Sequence, residues 1–291
     1  MARILYGKPL AEALSDNIYD RVLRLKTKGV VPSLAIVRVG SNSSQLAYEN
    51  TAVRRMAKLG IDVHCLSFES SIKESDLLAE VEKINGDPDI HGCIVLLPLP
   101  DHINSRLICS HISPMKDVDG VTSESISAVF LGEPGFSPCA PGSCIALLDY
   151  YGIEIKGKRV CVIGRSLVVG RPLAMLLLSR DATVTICHSR TPDLAAECRR
   201  SDIIISAAGS PGLITAAHVR SGQTVIDVGI SAGQDGHLHG DVAFDEVSPI
   251  VSDITPVPGG IGVIAGSFLA RNLITAAEML CADSDSHFPY E

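Results

Sequence analysis

A glycine-containing turn between two apolar runs is the first place where this sequence offers chemistry. The run RVCVIGRSLVVGRPLAMLLL has Gly164 at the end of a strand-like pattern and Gly170 at the start of a helical one. Backbone N–H groups at such a helix start can hold a pyrophosphate, and glycine in the turn lets the phosphate approach closely. Ser166 stands where the usual G-x-G-x-x-G motif has its second glycine, and the motif alone is therefore a weak signal.

The end of the next strand-like run carries residues that distinguish the two nicotinamide dinucleotides. An NAD-binding unit usually has an Asp or Glu there, hydrogen-bonded to the ribose 2′-hydroxyl. In this chain TVTIC is followed by His188, Ser189, Arg190 and Thr191, with no acid. A hydroxyl and a guanidinium at that corner suit a 2′-phosphate. The residues favour NADP over NAD, and the alternative is a solvated turn.

These positions require a parallel sheet whose strand ends meet at one edge. Strand-like runs alternate with helical patterns, and they lie at 33–39, 63–67, 92–97, 159–163, 183–187, 203–207 and 224–228. The alternation predicts an α/β protein with two domains, the second Rossmann-like, and ligands in the cleft between them. The predicted domains are residues 1–143, joined by a last helix at 266–282, and residues 144–265.

Composition and charge exclude several classes of protein. Of the 291 residues, 46% are hydrophobic and 20% charged, which indicates a packed core. The formal net charge of -8 provides no basic field for nucleic acid. No signal peptide is apparent, and no apolar run approaches the roughly twenty residues that span a bilayer. The nine scattered cysteines contain no C-x-x-C pair, which is typical of buried thiols in a reducing cytoplasm. We expect a cytoplasmic protein without a membrane or nucleic-acid partner.

Further motifs complete a pattern that covers nearly the whole chain. They are GCIVLLPLP, SPMKDVDG, FSPCAPGS, ATVTICHSRT, SDIIISAAGSPG, VIDVGI, GDVAF and ITPVPGGIG. Their order and spacing resemble the methylenetetrahydrofolate dehydrogenase/methenyltetrahydrofolate cyclohydrolase family. The resemblance implies oxidation of 5,10-methylenetetrahydrofolate with NADP and, in most members, hydrolysis of the methenyl product to 10-formyltetrahydrofolate. It also implies a homodimer whose subunits bind the folate in the interdomain cleft.

The resemblance also assigns roles to individual residues. Tyr48 corresponds to the aromatic residue that lies against the folate, and Asp119 to the carboxylate that binds the pterin; we take both as catalytic and substrate-binding. Leu96 is a further substrate-binding position. The loop that closes near the substrate is Pro258, Gly259 and Gly260. The cofactor contacts, with those of the turns described above, are Gly164, Arg165, Ser166, Gly170, Ser189, Arg190 and Ile230.

Chemistry agrees with the two folate roles, although simpler roles exist. A carboxylate accepts two donors of the amino-pyrimidinone edge of a pterin at once. A tyrosine offers a flat apolar face with a hydroxyl at its tip. The alternatives are that Asp119 closes a turn before Gly120 and that Tyr48 is an ordinary surface residue.

The chain departs from the family in its first half. The family's helix motif is S-x-x-Y-x-x-x-K, but the serine and lysine positions hold Gln45 and Ala52. The motif V-Q-L-P-L-P reads V-L-L-P-L-P, which puts Leu96 at the glutamine position. Hydride transfer needs only positioned rings, whereas hydrolysis needs acid–base help, worth about two to four powers of ten in rate. We hypothesise an active dehydrogenase whose cyclohydrolase is weak, absent or rebuilt.

Other interpretations stay open. Arg55 lies seven residues after Tyr48 on the same predicted helix face, and we favour a solvated surface arginine over one that reaches the pocket. His237 and His239, with two aspartates nearby, could hold a metal, but a polar turn is favoured and we predict no metal. The rival functions are a different NADP oxidoreductase and a catalytically silent regulatory protein that binds folate and NADP.

Overall fold

Strands and helices alternate along the chain in the computed structural model, which describes residues 1–233 and 237–281. The strands of this part are β1 (Arg3–Ile4), β2 (Ser33–Val39), β3 (Asp62–Phe68), β4 (Gly92–Val95), β5 (Arg159–Ile163), β6 (Thr183–Cys187), β7 (Ile203–Ser206), β8 (Thr224–Asp227), β9 (Ser231–Ala232), β10 (Leu238–His239) and β11 (Asp253–Ile254). Its α-helices are α1 (Gly7–Thr27), α2 (Ser43–Lys58), α3 (Glu74–Gly86), α4 (Ser105–Ser110), α5 (Ser123–Leu131), α6 (Cys139–Tyr150), α7 (Gly170–Leu178), α8 (Leu194–Arg200), α9 (Phe244–Val247) and α10 (Ile261–Cys281).

The chain divides into two compact units. One, the six-stranded unit, comprises residues 1–12 and 138–265. The other, the three-stranded unit, comprises residues 13–137 and the segment that begins at Gly266. Each contains a parallel sheet with helices, which confirms the predicted α/β class and the two-domain organisation.

The three-stranded unit is built around β2, which lies between β3 and β4, with all pairs parallel. Residues of β2 are buried almost throughout, as expected for a central strand covered by helices. Asn42 caps the start of helix α2, and its side-chain oxygen accepts hydrogen bonds from the N–H groups of Ser44 and Gln45. Because the strands are parallel, the start of α2 and the segment after β4 lie at the same edge of the sheet.

An ion pair fixes α2 against the sheet of this unit. Nε of Arg38, on β2, donates to Oε2 of Glu49 at 2.8 Å, and the two side chains are only 11% and 12% exposed. Nη2 of Arg38 also donates to Oγ of Ser67 on β3, at 2.6 Å. Losing one member of such a buried pair is costly, because the other charge stays buried without compensation. The helix that carries Tyr48 therefore has a defined position on its sheet.

The six-stranded unit has the strand order β1-β11-β8-β7-β5-β6, with every pair parallel. Its edge strand β1 comes from residues that the predicted second domain, 144–265, does not include. Arg3 of β1 pairs in register with Asp253 of β11, and its Nε donates to that carboxylate at 2.6 Å. The compact units divide the chain differently from the predicted domains 1–143 and 144–265, because residues 1–12 and the segment from Pro138, including all of α6, belong to the six-stranded unit.

Helix α10 is longer and more apolar than we expected. Ile261–Cys281 has the length and composition of a bilayer-spanning helix, so the expectation that no run approaches this length was wrong. However, 61% of its most apolar window is buried inside the protein, and Ala270, Leu273 and Ile274 are fully buried. Burial of this extent is typical of a core helix. Within the three-stranded unit, the Asn272 side chain donates to the carbonyl of Val118 at 2.9 Å.

Candidate functional site

The glycine turn lies at the carboxyl end of β5 and allows no side chain at two positions. Gly164 has a φ of +119°, and a Cβ there would overlap the carbonyl oxygen of Ala207. A Cβ on Gly170 would overlap the carbonyl oxygen of Gly164, because the first turn of α7 packs directly on this loop. Gly170 therefore acts through close backbone packing.

Ser166 closes the turn instead of widening it. Its Oγ accepts hydrogen bonds from the N–H groups of Val169 and Gly170, at 3.1 and 3.4 Å. A serine hydroxyl that accepts in this way keeps its own proton to donate, and a phosphate oxygen is a suitable acceptor. Arg165 and Ser166 are both exposed. The serine in place of the motif's second glycine thus stabilises the helix start and leaves the turn open to a ligand.

The turn after β6 presents the two residues predicted to bind a 2′-phosphate. The N–H of Thr191 donates to the carbonyl of His188 at 2.8 Å, and the N–H of His188 donates to Oγ1 of Thr191 at 2.9 Å. These bonds close the turn and leave Ser189 and Arg190 exposed at its tip. Since β5 and β6 are neighbouring parallel strands, this tip and the turn at Gly164 lie at one edge of the sheet.

Two buried aspartates organise the strand ends further along this edge. Asp241 is fully buried. Its carboxylate accepts hydrogen bonds from Ser206, Ala208, Gly209 and Ser210. Asp227, at the end of β8, accepts from the N–H groups of Gly229, Asp241 and Val242. Sequence reasoning assigned this role to neither residue, because each accepts hydrogen bonds from groups that are distant in the chain.

A cavity of about 240 Å³ lies beside Asp227 within the six-stranded unit. The sequence-predicted residues among its lining are Ile230, Pro258, Gly259 and Gly260. The structure therefore brings one predicted cofactor residue together with the three residues of the predicted substrate loop. The loop is held in place by the N–H of Gly7, which donates to the carbonyl of Gly259 at 2.8 Å.

Asp227 makes a pH-dependent contribution to stability. Burial raises its pKa from 3.8 to about 6, although the three N–H donors act in the opposite direction. A carboxyl with a raised pKa in the folded protein stabilises it below about pH 4, and this stabilisation is lost as the pH rises through 6. We expect a loss of up to about 3 kcal/mol in the free energy of unfolding over that window.

The comparison that checks this uses Asp227→Asn, which does not titrate. Urea unfolding of both proteins at pH 4 and pH 7 should show the wild type losing stability relative to the variant as the pH rises. A difference between the two proteins that is the same at both pH values would contradict the raised pKa.

In the three-stranded unit, helix α2 places three positions of the predicted folate motif, and Arg55, on one face. Gln45, Tyr48, Ala52 and Arg55 follow each other at steps of three and four residues. Tyr48 is 48% exposed, whereas Ala52 and Leu96 are only 8% and 7% exposed. The positions where the family motif has its lysine and glutamine are thus both filled by buried apolar side chains.

Arg55 is not the solvated surface residue that we expected. Its guanidinium is half-buried, and Nη1 lies 3.4 Å from Oγ of Ser267 on α10. A Cβ on Gly266 would come within 2.5 Å of the same nitrogen, so that glycine provides the space. Burial lowers the pKa of Arg55, and the nearby Tyr48 partly counteracts this. The prediction failed because the burying helix is about two hundred residues away in sequence.

The two aspartates of DVDG have different environments. Asp117 is fully buried and accepts hydrogen bonds from the N–H groups of Val121 and Thr122, at 3.0 and 2.7 Å, and from Oγ of Ser125 at 2.6 Å. Asp119 is partly exposed. Asp117 closes this turn, which was the alternative role considered for Asp119. The substrate-binding role of Asp119 stays a prediction.

The histidine-rich segment shows no metal-like arrangement in the part of the chain that the structure describes. No three His, Cys, Asp or Glu side chains converge there. Asp235 lies outside the described residues. Asp241, the other aspartate of the segment, has its carboxylate engaged by the hydrogen bonds given above.

Comparison with known proteins gives one consistent family. Residues 5–119 match the tetrahydrofolate dehydrogenase/cyclohydrolase catalytic domain, and residues 138–281 match the NAD(P)-binding domain of the same family. The bifunctional protein FolD of Carboxydothermus hydrogenoformans is 44% identical over 283 residues, 96% of this chain and 99% of that protein. FolD of Paracidovorax citrulli is 42% identical over 277 residues, 95% of this chain and 98% of that protein.

Solved structures agree with this result. The bifunctional FolD dehydrogenase/cyclohydrolase of Campylobacter jejuni has a TM-score of 0.94 and 38% identity, covering 96% of this chain and 99% of that one. The Trypanosoma brucei enzyme, solved with NADP cofactor and an inhibitor, has a TM-score of 0.90 and 34% identity, covering 95% and 97%. The chain belongs to the tetrahydrofolate dehydrogenase/cyclohydrolase family.

Proposed function

We propose that this protein oxidises 5,10-methylenetetrahydrofolate to the methenyl form with NADP, and that its hydrolysis of the methenyl product is weak or absent. The observation that carries the proposal is the contrast between the two units. The turns at Gly164 and at Ser189–Arg190 are intact and exposed at one sheet edge. In the folate half, Ala52 and Leu96 bury apolar side chains at the two positions that hydrolysis needs.

Oxidation requires the chain to position the folate and the cofactor, and little else. NADP, when bound, supplies the acceptor for a hydride. The lone pairs of the folate nitrogens push that hydride away from the methylene carbon and leave a delocalised cation, so no protein base is required. Asp119 accepts hydrogen bonds from the pterin edge, and Tyr48 lies against the ring. The N–H groups at the start of α7 would bind the pyrophosphate of NADP, and Arg190 would bind its 2′-phosphate.

Hydrolysis requires acid–base groups, and the side chains of Ala52 and Leu96 do not provide them. Water must be deprotonated as it attacks the methenyl carbon, and a ring nitrogen must gain a proton as the C–N bond breaks. Alanine and leucine do neither. Arg55 lies on the same face of α2, one turn after Ala52, but a guanidinium stays protonated at neutral pH and cannot act as a base.

Two assays on one protein preparation test the proposal. With methylenetetrahydrofolate and NADP, the absorbance of NADPH should rise. The methenyl absorbance should rise with it and decay only at the rate seen in buffer without protein. No NADPH formation would refute the dehydrogenase, and methenyl decay well above the buffer rate would refute the loss of hydrolysis.

The NADP preference has its own test at Arg190. Replacement by alanine removes a charge-assisted hydrogen bond to the 2′-phosphate, so the KM for NADP should rise about 10- to 100-fold while that for NAD changes little. The matched control is Arg200→Ala, because Arg200 is an exposed arginine on α8 that forms an ion pair with Glu197 in its own helix. An equal rise for both cofactors, or none, would contradict the assignment.

We further propose that the protein is a cytoplasmic homodimer, as the family resemblance implies. Sedimentation of the purified protein should give twice the mass of 30.8 kDa. A monomer at micromolar concentration would contradict this proposal.

A further inference from the structure

Gln45 in the first turn of α2 is buried and holds the chain that follows β4. It is 4% exposed, and its Nε2 donates to the carbonyls of Leu96 and Pro98, at 3.2 and 2.8 Å. These two acceptors fix the orientation of the amide, because a flipped amide would place its oxygen against two carbonyl oxygens. The oxygen Oε1 therefore points away from them.

That oxygen accepts no hydrogen bond from any described group of the protein. Leaving a buried amide oxygen unsatisfied costs about 1–3 kcal/mol, and buried polar atoms in native proteins nearly always have a partner. Gln223 shows the usual situation. Its Nε2 donates to the carbonyls of Cys198 and Ser201, and its Oε1 accepts from the N–H of Arg220 at 2.6 Å. No described group of the protein therefore supplies the donor that Gln45 lacks, and a bound molecule can supply it.

The position of Gln45 indicates what that donor is. Its two carbonyl partners follow β4 at the carboxyl edge of a parallel sheet, where ligands of α/β proteins bind. Tyr48 lies one turn further along the same helix face, and Ala52 two turns. In the family motifs a serine stands at position 45 and a glutamine at position 96, so this chain carries its carboxamide on the helix and not on the strand.

We propose that Oε1 of Gln45 accepts a hydrogen bond from an N–H of the pterin ring, which makes Gln45 a further substrate-binding residue. The inference rests on the proposed function, since it requires a bound reduced folate. A reduced pterin carries its 2-amino group, N3–H and N8–H, which are more donors than the carboxylate of Asp119 accepts. A buried water molecule is the other donor with suitable chemistry, and the experiment below separates the two.

The first measurement uses the wild-type chain, so it does not depend on a variant that folds. The sequence contains three glutamines, Gln45, Gln223 and Gln234, so selective carbon-13 labelling of the side-chain carbonyl gives three signals. On titration with tetrahydrofolate, the Gln45 signal should shift and saturate with the folate. Gln223, already satisfied, should stay unchanged. A Gln45 signal that does not move while tetrahydrofolate binds would overturn the proposal.

The second measurement identifies the donor through kinetics. Gln45→Met keeps the size of the side chain and removes its oxygen, so the KM for methylenetetrahydrofolate should rise about tenfold while the KM for NADP stays constant. Folate analogues that lack the 2-amino group or N8–H should bind the wild type more weakly than tetrahydrofolate does. The analogue that lacks the group bonded to Gln45 should lose much less affinity for the variant than for the wild type.

The remaining outcomes also decide the question. Additive effects of variant and analogue would show that the oxygen binds water, which would overturn the proposal. The same holds for a variant that loses thermal stability without a selective rise in the folate KM, since Gln45 would then only hold the chain after β4. Failure of the proposed function is recognised separately, because the wild type itself would then neither bind tetrahydrofolate nor reduce NADP.

Discussion

A chain carrying both Ala52→Lys and Leu96→Gln should hydrolyse methenyltetrahydrofolate about two to four powers of ten faster than the wild type. The lysine would supply a titratable amine beside Tyr48, and the glutamine would supply a hydrogen-bond partner for it. Both positions are buried, so each side chain is held close to its neighbours and not spread into solvent. The rate of methenyl decay, measured against buffer, checks this prediction.

The single variants are the matched controls. Ala52→Lys alone buries an ammonium without a partner, which lowers the pKa of the amine and destabilises the fold. Leu96→Gln alone adds a buried amide without an acid–base group. Neither should reach the rate of the double variant, and dehydrogenase activity should persist in all three. If the double variant folds, reduces NADP and still shows no gain, then the loss of hydrolysis does not lie at these two positions.

Local patterns predicted the cofactor half well. The strand, glycine turn and helix from Arg159 to Leu178 lie within twenty residues, and each step depends on neighbours in sequence. At Gly164 a side chain would overlap the carbonyl oxygen of Ala207, so this structural requirement is visible in the sequence as a glycine. The turn after β6 was equally predictable from the sequence, because its hydrogen bonds join residues three apart. The assigned contacts with the cofactor themselves stay predictions.

Features built from distant segments were not predictable in this way. β1 is two residues long, too short to give a periodic pattern, and its place beside β11 depends on a pairing 250 residues away. The environment of Arg55 depends on Gly266 and Ser267 of the last helix. Gln45 looked like a substitution for serine, and only the carbonyls after β4 showed what its amide does.

Replacing the two aspartates of the DVDG turn should have two different effects, one on catalysis and one on stability. Asp119→Asn removes the charge that we propose accepts two pterin donors, so kcat/KM for methylenetetrahydrofolate should fall by about two to three powers of ten. The free energy of unfolding should change little, because Asp119 is partly exposed. The KM for NADP should also change little, because the predicted cofactor turns belong to the other unit. Steady-state kinetics and urea unfolding of the same preparation measure these quantities.

Asp117→Asn is the matched control from the same turn. Its carboxylate is fully buried and accepts from two backbone N–H groups and one hydroxyl, and an amide has only one oxygen for these three donors. The variant should lose about 3 kcal/mol of stability, while the fraction that remains folded should bind folate nearly as the wild type does. If Asp119→Asn instead lost stability and kept its folate KM, Asp119 would belong to the turn, and the pterin would have to be held by another acceptor.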